Sequence, residues 1–189
     1  MGALYVALVH GPVTNKRGDL VTTAVTGLNI HDIARATTTF GGSGYFLVTP
    51  LAAQQGLVSR IVSHWEGGFG QRYNPNRRTA LEAVRVVDTL EAAVAAVTEA
   101  EGVPPQVVAT SAKVVDGVQA VSYASLSEAL ATDDEPVLLV FGTGWGLAPE
   151  LLGQVDLMLP PISGPGDYNH LSVRSAVAII LDRLSGDKR

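Results

Sequence analysis

Apolar residues in this sequence fall into short unbroken runs that alternate with longer segments of helical spacing. The runs at residues 5–9, 45–48, 106–109 and 137–141 are each closed by Gly, Pro or polar residues, as buried strands are. At residues 28–40 and 51–64, apolar positions recur every three or four residues, which predicts amphipathic helices. Strands that alternate with helices favour a mostly parallel sheet covered on both faces. The pattern therefore predicts an α/β fold.

The rest of the chain continues this alternation, with one interruption. We predict a strand at 83–87, an Ala-rich helix capped by Thr89, a short helix at 126–131, another from Pro149, a strand at 156–159 and a final helix at 170–184. Residues 65–78 are rich in Gly, Asn, Pro and Arg and have no period, so they are interpreted as a long loop. Loops of that length in compact proteins are more often functional than idle.

Composition limits the class of protein and the chemistry available to it. With 189 residues, 47% of them hydrophobic, the chain is expected to form one domain over residues 1–189. It has no apolar run long enough to cross a bilayer and no signal-peptide pattern, which predicts a cytoplasmic protein without membrane contact. The absence of cysteine and the wide spacing of the four histidines argue against disulfides and a metal site.

Charge is unevenly distributed along the chain. The net charge of -5 argues against a nucleic-acid partner. However, residues 1–85 hold eight Lys or Arg against four Asp or Glu, whereas residues 86–189 hold five against fourteen. This asymmetry indicates either a face that meets an anion or a chance clustering of surface charge.

Two loops in the last third of the chain are the strongest candidates for a ligand site. Gly142, Gly144 and Gly146 follow a predicted strand, where backbone N–H groups can approach a ligand closely. Their spacing matches neither a dinucleotide fingerprint nor a P-loop, so a plain tight turn is an equal alternative. A second loop, LPPISGPG at 159–166, ends the next strand. Together the two loops can wall a narrow slot at the carboxyl edge of the sheet.

The motifs in this region resemble those of a known superfamily. The segments FGTGWGLAPELL, LPPISG and YNHLSVRSAVAIILDRL are similar to the C-terminal motifs of SPOUT methyltransferases, in particular the TrmH-like branch. Near the N-terminus, Asn29, Arg35 and Phe40-Gly41 match that branch's helix motif. The resemblance implies a deep C-terminal trefoil knot over about 106–189, a homodimer packed through the knot, and S-adenosylmethionine held between three loops.

The resemblance also implies which residues contact the cofactor. They lie in the loop after the strand at 106–109, in the Gly-rich turn and in the loop that leads to the last helix. The predicted cofactor residues are Thr110, Ser111, Phe141, Gly142, Thr143, Gly144, Gly146, Leu159, Pro160, Ile162, Gly164, His170 and Leu171.

Catalytic roles are predicted for a few polar side chains. Arg35 resembles the family arginine that contacts the acceptor in the neighbouring subunit's site, and Asn29 would orient it. Tyr168 and His170 stand where the TrmH-like pattern has serine and asparagine, so base methylation becomes an alternative to ribose methylation. In that case Asp167 is a candidate general base. Asp167 capping the final helix is an equal alternative.

The predicted loop at 65–78 is a candidate surface for RNA. Arg72, Arg77 and Arg78 lie there beside Tyr73, Asn74 and Asn76. Arginines contact phosphates, and bases stack on aromatic rings. An ordinary solvated loop is the alternative.

The predicted function is methyl transfer from S-adenosylmethionine to a nucleotide of structured RNA, either tRNA or rRNA. A non-catalytic binder that keeps the knot and the cofactor slot is one alternative. A doubly wound domain that holds a nucleotide phosphate at the Gly-rich turn is another. The overall acidity favours a third, a methyltransferase acting on protein or a small molecule.

Overall fold

The computed structural model describes residues 2–66 and 74–186. Its strands are β1 (Leu4–Val9), β2 (Val13–Thr14), β3 (Leu20–Val21), β4 (Gly44–Val48), β5 (Val84–Val87), β6 (Gln106–Ala109), β7 (Val137–Gly142) and β8 (Leu157–Met158). Its helices are α1 (Gly27–Thr39), α2 (Ala52–Glu66), α3 (Pro75–Glu82), α4 (Leu90–Glu101), α5 (Tyr123–Thr132), α6 (Pro149–Leu152) and α7 (Val173–Ser185). The predicted α/β class is confirmed.

Six of the strands form one parallel sheet in the order β5-β4-β1-β7-β6-β8. The central strand β1 is wholly buried, and Val9 at its end pairs with Val48 on one side and Gly142 on the other. Because successive side chains point to opposite faces, Val6 packs in one apolar core and Ala7 in the other. Helices therefore cover both faces of the sheet, as the alternation predicted.

Serine and threonine side chains define where several helices begin. The Thr89 hydroxyl accepts a hydrogen bond from Ala92 N at 3.2 Å, as predicted for the cap of α4. The final helix begins at Val173 rather than at residue 170, because Ser172 is its cap and accepts from Ser175 N at 3.2 Å. The alternative role of Asp167 as the cap of this helix is therefore wrong.

The prediction of a loop across residues 65–78 is wrong at both ends. Helix α2 continues to Glu66, and Asn74 begins α3 by accepting a hydrogen bond from Arg77 N at 3.1 Å. Pro75 follows this cap at the first helical position, where proline has no N–H to lose. A cap followed by proline signals the start of a helix even where the apolar residues show no helical period.

A small hairpin, β2–β3, lies over the Gly-rich turn that follows β7. Thr14 N donates to Gly146 O at 2.9 Å, and Trp145 N donates back to Thr14 O at 2.9 Å. Strands of two residues have no apolar periodicity, so the sequence did not predict this hairpin. The hairpin therefore holds the Gly-rich turn in place through these two backbone hydrogen bonds.

Within the described ranges, no helix has the length and apolar character needed to span a membrane.

Candidate active site

A cavity of about 550 Å³ opens at the carboxyl edge of the sheet. The ends of β1, β6 and β7 form its floor, and the loop after β8 with the first half of α7 forms a wall. Its size is typical of small-ligand and cofactor sites, and carboxyl edges are where open α/β sheets bind ligands.

The structure brings most of the predicted cofactor residues to this one cavity. Eleven of the thirteen line it, namely Thr110, Ser111, Phe141, Gly142, Thr143, Gly144, Gly146, Pro160, Ile162, His170 and Leu171. Leu159 does not, because its side chain is 1% exposed and packs in the apolar core. Gly164 is exposed and lies outside the cavity lining. The three predicted loops therefore meet, although their contacts with a cofactor remain a prediction.

The glycines of the turn are required by close backbone approach. A Cβ on Gly142 would lie 2.8 Å from Leu147 N. Gly144 has a φ of +61°, and a Cβ there would lie 2.8 Å from Thr14 O on the hairpin. A side chain at either position would push the turn away from its neighbours. The glycines thus let the backbone itself form part of the cavity surface.

Side-chain hydrogen bonds hold the loops around the cavity together. Asn169 Nδ2 donates to Ala112 O at 3.0 Å, which joins the loop before α7 to the loop after β6. Tyr123 at the start of α5 donates its hydroxyl to Pro160 O at 3.0 Å. Both Asn169 and Ala112 line the cavity. The sequence does not predict this pair, because its hydrogen bond joins segments 57 positions apart.

His10 is a cavity residue that the sequence analysis did not single out. It directly follows β1, its side chain is 0% exposed, and its Nδ1 lies 3.0 Å from Thr23 Oγ1. Burial lowers its pKa to about 4, so the imidazole is neutral at physiological pH. Within the described part of the chain, its Nε2 has no hydrogen-bond partner. In the sequence, His10-Gly11-Pro12 indicates only the end of a strand.

The predicted catalytic residues do not gather at the cavity of a single chain. Asn29 lines it, whereas Arg35 is exposed on α1 and lies outside the lining. Asp167 and Tyr168 are also exposed and outside it, with the Tyr168 ring edge-on to His170 at 6.4 Å. Arg35 lies six positions after Asn29 along α1, which is about 9 Å of axial rise and a different face of the helix. One chain therefore supplies Asn29 alone to its own cavity.

The cavity has an apolar wall and a polar wall of different chemistry. Helix α7 and the loop before it contribute apolar side chains, which are Ile162, Leu171, Val173, Ala176 and Ile180. The residue after β1, the loop after the hairpin and the start of α1 contribute polar ones, which are His10, Thr23, Asn29 and, from the Gly-rich turn, Thr143. No Asp or Glu is among the described residues that line it, and Lys113 is the formal cation at its rim.

The predicted RNA-binding arginines belong to helix α3 rather than to a loop. The Arg77 guanidinium lies 4.8 Å from the centre of the Trp65 ring, and Arg78 Nε lies 2.8 Å from Glu82 Oε1. Both side chains are half-buried, so they are held in place rather than free in solvent. Arg72 lies outside the described residues. No cluster of metal-binding side chains occurs in residues 2–66 and 74–186.

Comparisons with known proteins agree with this geometry. A family model described as SAM-dependent RNA methyltransferase matches residues 3–186. The chain is 46% identical over 184 residues to a tRNA (guanine-N(1)-)-methyltransferase of Oleidesulfovibrio alaskensis, covering 97% of this chain and 42% of that protein. This chain thus spans less than half the length of that relative.

Two further similarities concern proteins of Aquifex aeolicus. An uncharacterized protein is 37% identical over 186 residues, covering 98% of this chain and 90% of that protein. The crystal structure of the TrmH/SpoU tRNA modifying enzyme matches at 18% identity with a TM-score of 0.57, over 98% of this chain and 75% of that one. The family match over nearly the whole sequence shows that the chain belongs to a family of SAM-dependent RNA methyltransferases, in agreement with the resemblance to SPOUT methyltransferases, and its fold is similar to that of the TrmH/SpoU enzyme.

Proposed function

We propose that this protein transfers a methyl group from S-adenosylmethionine to a nucleotide of structured tRNA or rRNA. The observation that carries the proposal is the cavity at the carboxyl edge of the sheet, where the three loops expected to hold the cofactor meet. The family match and the similarity to a tRNA methyltransferase support the reaction class.

The residues of the cavity fit the cofactor. The apolar wall of α7 suits the adenine, and the glycine turn lets backbone groups approach a ligand without side chains intervening. S-adenosylmethionine, when bound, supplies a methyl group already activated by its sulfonium. The protein's task is then to hold the donor, orient the acceptor and accept its proton.

We infer that two copies of the chain complete each site. Arg35 is exposed and lies outside its own cavity, which supports a role in the cavity of a second subunit. Helix α7 is joined to α1 by Arg174 Nη1 and Asp32 Oδ2 at 2.6 Å, so Arg35 and the cavity wall belong to adjacent helices. In this arrangement Asp167, in the exposed loop before His170, is the candidate proton acceptor.

A trefoil knot over about 106–189 is part of the proposal. Strand β8 pairs with β6 on one side, and on the other Met158 N donates to Gln119 O at 2.8 Å. Val121 N in turn donates to Met158 O at 3.0 Å. Strand β8 is therefore flanked by the connection between β6 and α5, and the chain then continues into α7, which packs on α5 and α1. This arrangement supports threading of the last segment through that connection.

Titration calorimetry with S-adenosylmethionine and S-adenosylhomocysteine tests the cofactor site. We expect both ligands to bind the native protein, and Gly144→Val to lose binding because its side chain would separate the turn from the hairpin. Gly56→Val is the matched control, since a Cβ on Gly56 meets nothing within 4 Å. Native protein that binds neither ligand would refute the proposal.

Transfer of a labelled methyl group to total tRNA or rRNA then separates an enzyme from a binder. We expect incorporation that depends on Arg35. A mixture of Arg35→Ala and Gly144→Val subunits should regain about a quarter of native activity after random exchange, because one in two dimers then has one intact site. No recovery in the mixture would place Arg35 at the cavity of its own chain or outside catalysis.

A further inference from the structure

Trp145 is an exposed aromatic residue at the mouth of the cavity. It lies in the Gly-rich turn, lines the cavity and is 58% exposed, although tryptophan is highly buried on average. The turn that carries it is fixed, since Trp145 N donates to Thr14 O at 2.9 Å and Gly146 N donates to Thr143 O at 3.1 Å. The indole is therefore accessible, at the edge of the site, to a molecule that arrives from solvent.

Two cations lie close to Trp145, at the tip of the β2–β3 hairpin. Lys16 and Arg17 are both exposed, and neither forms an ion pair with a residue that the structure describes. Lys16 follows Thr14, the hydrogen-bond partner of Trp145, by two residues, so at most about 7 Å separates the Cα atoms of Thr14 and Lys16. The hairpin thus carries two accessible positive charges next to an accessible aromatic ring.

The tip of the hairpin is an ordered turn. Asn15 Oδ1 accepts hydrogen bonds from Arg17 N at 2.7 Å and from Asp19 N at 3.0 Å, and Asn15 O accepts one from Gly18 N at 3.1 Å. The carboxylate of this tip is partly occupied, because Asp19 Oδ2 accepts from Asn15 Nδ2 at 2.9 Å. The tip therefore presents its two cations in a defined place, and its charge is positive.

An exposed ring beside unpaired cations suits RNA. Unpaired bases stack on aromatic rings, and Lys and Arg contact the phosphates that join them. No Asp or Glu is among the described residues that line the cavity, and residues 1–85, which include the hairpin, hold eight Lys or Arg against four Asp or Glu. The charges therefore favour a polyanion here over a second copy of this chain, whose net charge is -5.

We propose that Trp145 and the hairpin tip form the surface that receives the RNA beside the cavity. Trp145 stacks on an unpaired base at the methylated site, and Lys16 and Arg17 contact the phosphates that flank it. The inference rests on the proposed function and deepens it, because it gives the acceptor RNA a place on the described part of the chain. All three are positioning residues, which hold the acceptor strand and take no part in proton transfer.

Two variants that differ in the aromatic ring test the stacking. The affinity for total tRNA and for rRNA is measured in Trp145→Phe and Trp145→Leu. We expect Leu to weaken RNA binding about fivefold or more, because one stacked base is lost, and Phe to retain most of the native affinity. Leu51→Ala is the control, because Leu51 is 46% exposed and lies outside the cavity lining, and it should bind RNA with native affinity.

The cationic tip is tested through the salt dependence of RNA binding. Each phosphate contact contributes about 0.7 to 0.9 to the slope of the logarithm of the binding constant against the logarithm of the salt concentration. Lys16→Gln and Arg17→Gln should each reduce that slope by about this amount. Trp145→Leu should leave the slope native, because stacking on a base releases no counterions. Arg60→Gln, which removes an exposed cation of α2 outside the cavity, is the control with a native slope.

Two further measurements separate a lost RNA contact from a structural effect. Lys16 and Arg17 lie outside the cavity lining, so their variants should bind S-adenosylhomocysteine with native affinity. Trp145→Phe and Trp145→Leu should bind it equally, since the aromatic ring is the difference between them. Analytical ultracentrifugation should give the native oligomeric state for every variant. Dissociation of Trp145→Leu into smaller species would show that a second copy covers the ring, and would overturn the inference.

The failure of this inference differs from the failure of the proposed function. If native protein binds RNA, and Trp145→Leu binds it as tightly as Trp145→Phe, no base stacks on Trp145 and the inference is wrong, while methyl transfer to RNA stands. If the hairpin variants keep the native salt slope, the tip does not contact phosphates and that half of the inference is wrong. If native protein binds S-adenosylhomocysteine but neither binds nor methylates RNA, the proposed function fails and the inference fails with it.

Discussion

The two walls of the cavity are built in different ways. The apolar wall comes from one helix and the loop before it, so its residues are close in sequence: Ile162, Leu171, Val173, Ala176 and Ile180. The polar wall is assembled from the end of β1, the loop after the hairpin, the start of α1 and the glycine turn, at His10, Thr23, Asn29 and Thr143. The first wall depends on the packing of one helix, whereas the second depends on hydrogen bonds between distant segments. Substitutions in the two walls should therefore affect stability and ligand affinity in different ways.

The largest expected effect is on the apolar wall. Ile180 is 2% exposed, belongs to the core and also lines the cavity. Ile180→Ala should lower the free energy of unfolding by about 3 kcal/mol, because it leaves a hole in a packed core. It should also weaken S-adenosylhomocysteine and 5'-methylthioadenosine alike, since both present an adenine.

Chemical denaturation and calorimetry measure these two effects. Ile179→Ala is the matched control on the same helix, because Ile179 is only half-buried and does not line the cavity. We expect its loss of stability to be smaller and its ligand affinities to be native. Equal losses in the two variants would contradict the assignment of Ile180 to the adenine wall.

The polar wall should make the free energy of unfolding depend on pH. His10 has a pKa lowered to about 4 in the folded protein and an ordinary value of 6.5 when unfolded. Below pH 6.5 the unfolded chain binds a proton that the folded chain refuses, so stability falls as pH drops from about 6.5 to about 4 and is fully present above that range. This one group accounts for a loss of about 2 to 3 kcal/mol.

Denaturation of native protein and His10→Phe at several pH values isolates this contribution. The free energy of unfolding of the native protein, minus that of His10→Phe, should fall steadily as pH drops from 6.5 to 4.5. The His31 pKa is also lowered, mainly by burial, and His31 is present in both proteins. A difference that does not change with pH would show that His10 is not a desolvated histidine.

A smaller effect is expected where the two loops meet. Asn169→Leu removes the hydrogen bond to Ala112 O while leaving both walls intact. Because the side chain is exposed, we expect a stability change below about 1 kcal/mol and a severalfold weaker affinity for both ligands. Asn169→Gln should bind both ligands nearly as weakly as Asn169→Leu, because the longer side chain misplaces the amide donor. Native affinity in Asn169→Leu would mean that the contact does not shape the cavity.

The smallest effect lies outside the cavity. Arg174 and Asp32 are 32% and 40% exposed, so solvent screens their ion pair. Arg174→Met should cost about 0.5 kcal/mol of stability and leave the affinity for both ligands native. The free energies of unfolding of the native protein and of Arg174→Met should differ less at high salt than at low salt. A loss of ligand binding in this variant would show that the α1–α7 contact controls the cavity.

The same contrast explains what could be predicted from the sequence. The last helix and the glycine turn could be predicted because their signals are local: a helical period, a strand and closely spaced glycines. The sequence does not predict that Val173, Ala176 and Ile180 of this helix line the cavity. Asn29 was found only through the resemblance. His10 and Asn169 were missed because their roles depend on Thr23 and Ala112, which lie far from them in sequence. The helix α3 was missed because its cap and proline give no apolar period.

The central strand sets the order in which this protein can be assembled. Strand β1 must pair with β7, whose first residue Val137 lies 133 positions after its partner Leu4. The cavity also needs Ile180, near the end of the chain. Contacts between such distant segments form slowly, because long loops must close first. During synthesis the growing chain therefore carries an unpaired edge at β1 until β7 has been made. The ligand site is complete only after α7 has docked.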